Sequence, residues 1–307
     1  MGIVKIASAQ YPIDFHKSFD DWKKKTIKWI EEASSQKAEI LLFPEYGAME
    51  LTSLLSESDR LDLKNQAEKL KKYLNEFTDL FKSQAIQHKI YIIAPSFPVF
   101  HDEAKTTNRV FVFSPSGKFE FQDKFYMTRF EDEDWDIQSG ESVIKVFKNN
   151  KFSFSISICF DVEFPLPSMI AAQTGQAQII FAPSCTETIK GAHRVHIGAR
   201  ARALENQSYL VVAQTVGLAD WSPAVDINYG YASIYSPPDL NFENDGIVVQ
   251  GQPNVSCWIY SELNLDHLDT VRSFGSVLNY KTQQKALFHN IDFAQMCPIS
   301  AKIINFD

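Results

Sequence analysis

Between positions 152 and 160 the chain alternates strictly. Phe152, Phe154, Ile156, Ile158 and Phe160 fall on one side, and Ser153, Ser155, Ser157 and Cys159 on the other. A period of two sends successive side chains to opposite faces, so this stretch predicts a β-strand with one apolar and one small, polar face. Residues 3–9 read as a strand too. Over residues 19–33 the period changes: Phe19, Trp22, Ile27 and Ile30 recur at near-helical spacing. The apolar run at residues 39–43 is stopped by Pro44 and fits a buried strand. A long amphipathic segment at 59–88 and an apolar run at 90–94 follow, and the order β-α-β-α-β implies a sheet covered by helices.

The second half continues in the same manner. Runs at 108–113 and 118–121 flank Ser-Pro-Ser-Gly, whose Pro and Gly supply turn dihedrals, which predicts a hairpin. Helix is predicted at 166–174 and 192–206, and strand at 178–181 and 209–216. Short strands near Tyr231 and at 255–260, a helix near Asp266 and a tail from about 273 to 307 complete the chain. No repeat or linker-like composition divides it, so residues 1–307 are expected to form one α/β domain.

The 307 residues are 45% hydrophobic and 22% charged, enough to bury a large core. Thirty basic against 38 acidic side chains leave a net charge of −8, which argues against a nucleic-acid or anionic-membrane partner. No apolar run approaches the roughly 18–20 residues that cross a bilayer. The first residues lack the apolar core of a signal peptide, so a soluble, cytoplasmic protein is expected. Cys159, Cys185, Cys257 and Cys297 form no CxxC pair, and each is expected as a free thiol. No cofactor motif occurs. His193 and His196 are spaced for a metal on a helix but lack a third ligand, so helix-surface or dimer-interface roles are expected. The acidic run 131–136 lacks the glycine and spacing of a calcium loop, so no metal is expected there. Trp221, Trp258 and the stretch 229–231 are read as core, with a binding wall as the alternative.

Three residues stand at predicted strand ends, where ligands of α/β sheets bind. Taken alone, Cys159 is an ordinary buried thiol, Glu45 a loop carboxylate or helix cap, and Lys124 a solvated surface group. Together they supply what thiol-based acyl transfer needs: a nucleophile, a base to take its proton, and a donor for the developing oxyanion.

The segments FPEYG around Glu45, DKFYMTRFE around Lys124 and ISICFDVEFP around Cys159 resemble the nitrilase superfamily of carbon–nitrogen hydrolases. The segment RARALENQSYLVVA and the APS at positions 182–184 resemble it too, and the similarity runs to about Leu268. It implies a four-layer α-β-β-α sandwich, usually in a homodimer or higher homo-oligomer. The tail from about 273 to 307 lies beyond the resemblance, and by its length it could reach a partner subunit or cover the pocket. The resemblance also implies Glu45 as general base, Cys159 as nucleophile, and Lys124 as oxyanion donor beside the backbone N–H of Phe160. The second acid of the family matches Glu131, with Glu133 as the alternate. Cys185 and Thr186 are expected to line the substrate pocket.

Phe160-Asp161 after the cysteine resembles amidase- and carbamoylase-like branches rather than the Trp-Glu of nitrile-cleaving members. The expected reaction is hydrolysis of a linear, non-peptide C–N bond of a small amide or N-carbamoyl compound, through a cysteine thioester. Acyl transfer from the same thioester and a non-catalytic small-molecule binding protein are the alternatives. The stretch CTETIKGAHRVHIGARARALENQ also resembles bacterial members, some of them fused to acetyltransferases.

Overall fold

The structure is a computed structural model that describes residues 2–101, 105–290 and 299–306. Its axis is the N-terminal strand Ile3–Pro12. Alternation along this strand feeds two cores. Val4 and Ile6 pack with Ile40, Leu42, Val110, Phe154 and Phe181, whereas Ala7, Ala9 and Tyr11 pack with Trp22, Ile30, Phe77 and Phe81 from two covering helices.

The strand changes partner along its length, and this curls the sheet. Ile3 to Gln10 run antiparallel to Cys257–Asn264, while Gln10 to Pro12 run parallel to Tyr209–Leu218. The ladder continues on one side through Ile40–Leu42, Tyr91–Ile93, Thr106–Phe113 and Phe97–Phe100. On the other it runs through Tyr209–Leu218, Ile179–Ser184, Ser153–Ile156 and Val143–Lys148 to Ser300–Asn305. Helices Phe19–Ser35 and Leu74–His88 cover the first half, and Pro165–Gln173 and Ile189–Asn206 the second. Two facing halves of a sheet between two helical layers make the four-layer α-β-β-α sandwich. Local chemistry sets the helix starts: Ser18 Oγ accepts the Asp21 N–H at 3.1 Å, and Thr188 Oγ1 accepts the Gly191 N–H at 3.0 Å.

Several elements differ from the sequence-based expectation. The segment 59–88 is broken into Glu57–Leu61, Gln66–Leu70, a 3₁₀ turn at Lys71–Tyr73, and Leu74–His88. Asp62 is extended, and its carboxylate takes the Asn65 side-chain amide at 2.6 Å, a local bond that competes with helix. The ladder predicted over 152–160 covers only Ser153–Ile156. Cys159 has φ +46° and opens a 3₁₀ turn, Cys159–Glu163, so neither it nor Phe160 lies on a strand. The strand near Tyr231 is Ser233–Tyr235, and the helix expected from 192 starts at Ile189. The described part of the tail adds helix Asn279–Asn290 and strand Ser300–Asn305, which pairs in parallel with Val143–Lys148 of the same chain. None of its described residues lines the cavity that holds Glu45, Lys124 and Cys159. Cys297 lies outside the described residues, and Cys159, Cys185 and Cys257 are free thiols.

Candidate active site

Three chain segments converge at one end of the curled sheet. Glu45 follows strand Ile40–Leu42 after Phe43 and Pro44, and the next residue, Tyr46, takes a left-handed turn (φ +54°) with its N–H on Ser96 Oγ at 2.8 Å. Lys124 follows strand Phe119–Asp123; its N–H donates to Asn108 O at 2.9 Å and its carbonyl accepts from Gly140 N–H at 3.1 Å. A Cβ on Gly140 would lie 2.2 Å from Asp123 Cβ, so only glycine lets this loop approach. Cys159 sits in its left-handed turn against helix Ile189–Asn206. There a Cβ on Gly198 would come within 2.7 Å of Val162 O.

The side chains meet in a buried cluster. Lys124 Nζ donates to Glu45 Oε1 at 2.8 Å and to Glu131 Oε1 and Oε2 at 2.8 and 2.6 Å. Asn108 Nδ2 donates to Glu45 Oε1 at 2.8 Å and to Glu131 Oε1 at 3.3 Å, bridging the two acids. Tyr46 OH, Thr128 N–H and Thr128 Oγ1 complete the shell of Glu131 at 2.7, 2.9 and 2.9 Å. Glu45 Oε2 accepts the Cys185 N–H at 3.0 Å, and Cys159 Sγ points at Cys185 O, 3.6 Å away.

This arrangement pushes the two acids apart electrostatically. Burial raises Glu45, and the nearby Glu131 charge adds to that, against the pull of Lys124. For Glu131 burial also pushes upward, but Lys124 and the hydrogen bonds from Thr128 and Tyr46 outweigh it and hold the group below its ordinary value. The two carboxylates hold Lys124 well above the usual ammonium range in spite of its burial. Cys159 is raised well above a free thiol by burial and the Glu45 charge, so it needs a base to ionise. One acid that can exchange a proton beside another that stays ionised is the pattern of acid–base sites.

A cavity of about 620 Å³ opens above the cluster, with Cys159, Phe160, Cys185 and Thr186 among its lining residues. Its aromatic wall is Tyr46, Phe130, Trp135 and Phe160. The alternative wall read from the sequence is not there: Trp258 is core and donates to Trp29 O at 3.1 Å, and Tyr231 stacks on His196. Glu133 does not line the cavity either. It pairs at 2.7 Å with Arg129, both side chains being largely exposed, so the structure places Glu131 and not Glu133 beside Lys124. His196 is buried, which corrects the surface or interface role expected for it.

Sequence reasoning missed Asn108 and Asp161. Asn108 was legible in principle: the hairpin register pairs Arg109 with Asp123, which sets Asn108 opposite Lys124. Asp161 is buried and accepts the N–H groups of Ile158 (3.2 Å), Phe125 (3.1 Å) and Tyr126 (2.6 Å), tying the Cys159 turn to the segment after Lys124. Burial pushes its carboxyl up to about 7 against those three donors. A raised carboxyl contributes stability that is present below its unfolded pKa of ~3.9 and lost as pH rises through the folded value. Asp161→Asn is therefore expected to flatten the fall in unfolding free energy between about pH 4 and 7, as read by urea denaturation. An unchanged slope would remove Asp161 from that role.

The family model described as carbon-nitrogen hydrolase matches residues 5–256. A probable hydrolase of Bacillus subtilis (strain 168), YhcX, is 34% identical over 287 residues; the match takes in 93% of this chain and 55% of the relative, so the chain spans about half of that protein. Omega-amidase NIT2-A of Xenopus laevis is 26% identical, over 89% of this chain and 92% of its own length. The crystal structure of a carbon-nitrogen hydrolase from Helicobacter pylori G27 superposes with a TM-score of 0.76 at 15% identity, covering 94% of this chain and 97% of that one.

Proposed function

The chain belongs to the carbon–nitrogen hydrolase family, and from that premise we propose that it hydrolyses a small linear amide or N-carbamoyl compound through a Cys159 thioester. The observation that carries this reading is the buried contact of Lys124 with both Glu45 and Glu131 beside the Cys159 thiol. Glu45 takes the thiol proton, and the thiolate attacks the carbonyl carbon. Protonation weakens the hold of Glu45 on Lys124, freeing an Nζ–H to turn, with the Phe160 N–H, toward the oxyanion as it develops. Glu45 then delivers its proton to the departing nitrogen as the C–N bond breaks. Water attacks the thioester with Glu45 again accepting a proton, and as the C–S bond breaks Glu45 passes that proton to the sulfur, which releases the acid product and restores the thiol. Throughout, Glu131 keeps the ammonium charged and in place.

Ammonia or amine release from aliphatic amides, dicarboxylic half-amides and N-carbamoyl amino acids tests this. Release by the wild type across any of these classes supports the reading and names the substrate class. Product formation that appears only when an amine or alcohol is added would replace hydrolysis with acyl transfer. An inert thiol and no turnover would favour a binding protein on the same fold.

The partner proposed with this activity is a second copy of the chain. On helix Ile189–Asn206, Ile197, Ala201 and Leu204 share one face, with Ile197 68% and Leu204 42% exposed. Sedimentation is expected to give a dimer, and Ile197→Asp is expected to shift it toward monomer. A monomeric wild type would discard the idea. No helix among the described residues is long and apolar enough to cross a membrane.

A further inference from the structure

Behind the active site lies a line of polar side chains that the mechanism above does not use. His196 is 3% exposed and stacks on the Tyr231 ring, with centroids 3.8 Å apart and planes within 7°. Its Nε2 lies 3.1 Å from Gln214 Oε1 and its Nδ1 2.8 Å from Tyr235 OH. Gln214 Oε1 can only accept, and it also takes the Tyr231 N–H at 2.8 Å. The histidine proton therefore sits on Nε2, and Nδ1 accepts from Tyr235. Burial holds the imidazole down at about 4, so it stays neutral across the working range.

The line continues in one direction. Gln214 Nε2 donates to Thr186 Oγ1 at 3.1 Å, and Thr186 Oγ1 donates to Tyr229 O at 2.7 Å, while Thr186 O accepts the Tyr229 N–H at 2.8 Å. Thr186 is thus held through both its side chain and its backbone. The residue before it, Cys185, gives its N–H to Glu45 and faces the Cys159 thiol with its carbonyl. Space around the amide is restricted: a Cβ on Gly230 would lie 2.6 Å from Gln214 Cβ. Tyr235, His196 and Gln214 are buried, and the other histidine tautomer would leave Nε2 and Gln214 Oε1 facing each other as two acceptors.

We propose that Tyr235, His196, Gln214 and Thr186 form a positioning relay that fixes the Cys185 peptide groups, and through them the Glu45 carboxylate and the Cys159 sulfur. The relay rests on the reading of Glu45 as base and Cys159 as nucleophile. None of its members exchanges a proton in the reaction. Its consequence is geometric: without it the Cys185 N–H drifts from Glu45, the carboxylate loses a donor to its charged form, and its affinity for a proton rises.

The experiment uses the full chain and iodoacetamide, which reports thiol activation without any knowledge of the substrate. The rate of Cys159 alkylation is followed against pH by peptide mass mapping, which separates it from Cys185, Cys257 and Cys297. Gln214→Leu and Thr186→Val are each expected to slow alkylation about tenfold and to move the midpoint of the pH–rate curve upward. Thr186→Ser, which keeps the hydroxyl, is expected to restore both. If Gln214→Leu does not fold, Thr186→Val alone decides, since its position borders the cavity and not the core. An alkylation curve unchanged in Thr186→Val overturns the relay. Because alkylation is independent of turnover, that result is distinct from failure of the wild type on the amide panel.

Discussion

Replacing Cys159 with alanine is expected to reduce turnover of any substrate found for this protein to background, a loss of roughly 10⁴–10⁶-fold. The proposed thioester needs a sulfur on this turn. Cys185, the other thiol at the cavity, gives its Sγ to Asn228 Oδ1 at 3.4 Å, and burial drives it up to about 12. Its hydrogen-bond partner is a neutral amide oxygen and not a carboxylate, so it is not expected to substitute. The fold should survive the change, because alanine keeps the Cβ in the same left-handed backbone. Glycine at 159 relieves the strain of φ +46°, worth about 1–2 kcal/mol, and is expected to leave the inactive protein at least as stable as the alanine variant. Equal turnover by wild type and Cys159→Ala, measured as released ammonia, would remove the thiol mechanism.

The second large effect concerns Lys124. Its side chain is 1% exposed, and its ammonium is shared by two buried carboxylates. Lys124→Met keeps the volume of the side chain but leaves Glu45 and Glu131 facing each other with no cation between them, held by the neutral donors Asn108, Tyr46, Thr128 and the Cys185 N–H. Removing one partner of a buried charge cluster typically costs about 3–5 kcal/mol. The variant is expected to lose that much at pH 8. In it both carboxylates are raised by burial and mutual repulsion, so the missing stability should return as pH falls and one of them is protonated. Urea unfolding at pH 5 and pH 8 measures this. Glu131→Gln added to Lys124→Met should recover a large part of the loss at pH 8, since one charge then remains where there were two. Equal stability of Lys124→Met and wild type at pH 8 would mean that the cluster is not ionised as described. In the intact protein, the raised Glu45 should set the acidic limb of the pH–rate profile above the ordinary glutamate range.

Local pattern already determined much of this. Period-two and near-helical spacings marked the strands and most helices, because those periods reflect geometry that each segment carries in itself. The motifs around Glu45, Lys124 and Cys159 were legible for the same reason: each is a short stretch ending a strand. Only the tertiary structure decided which acid stands beside Lys124, since Glu131 and Glu133 are two residues apart and the turn beginning at Phe130 points one inward and the other to solvent. It also decided the conformation of Cys159. The alternation through position 160 continues past the ladder, because nothing in a periodic pattern records where hydrogen-bonding partners stop. Asn108 with Glu45, Asp161 with Tyr126, and His196 with Gln214 are bonds between residues 63, 35 and 18 positions apart. A polar side chain carries no periodic signal of its partner. Its role is set when packing removes water and leaves one neighbour within hydrogen-bond reach, a condition that exists only in the folded chain.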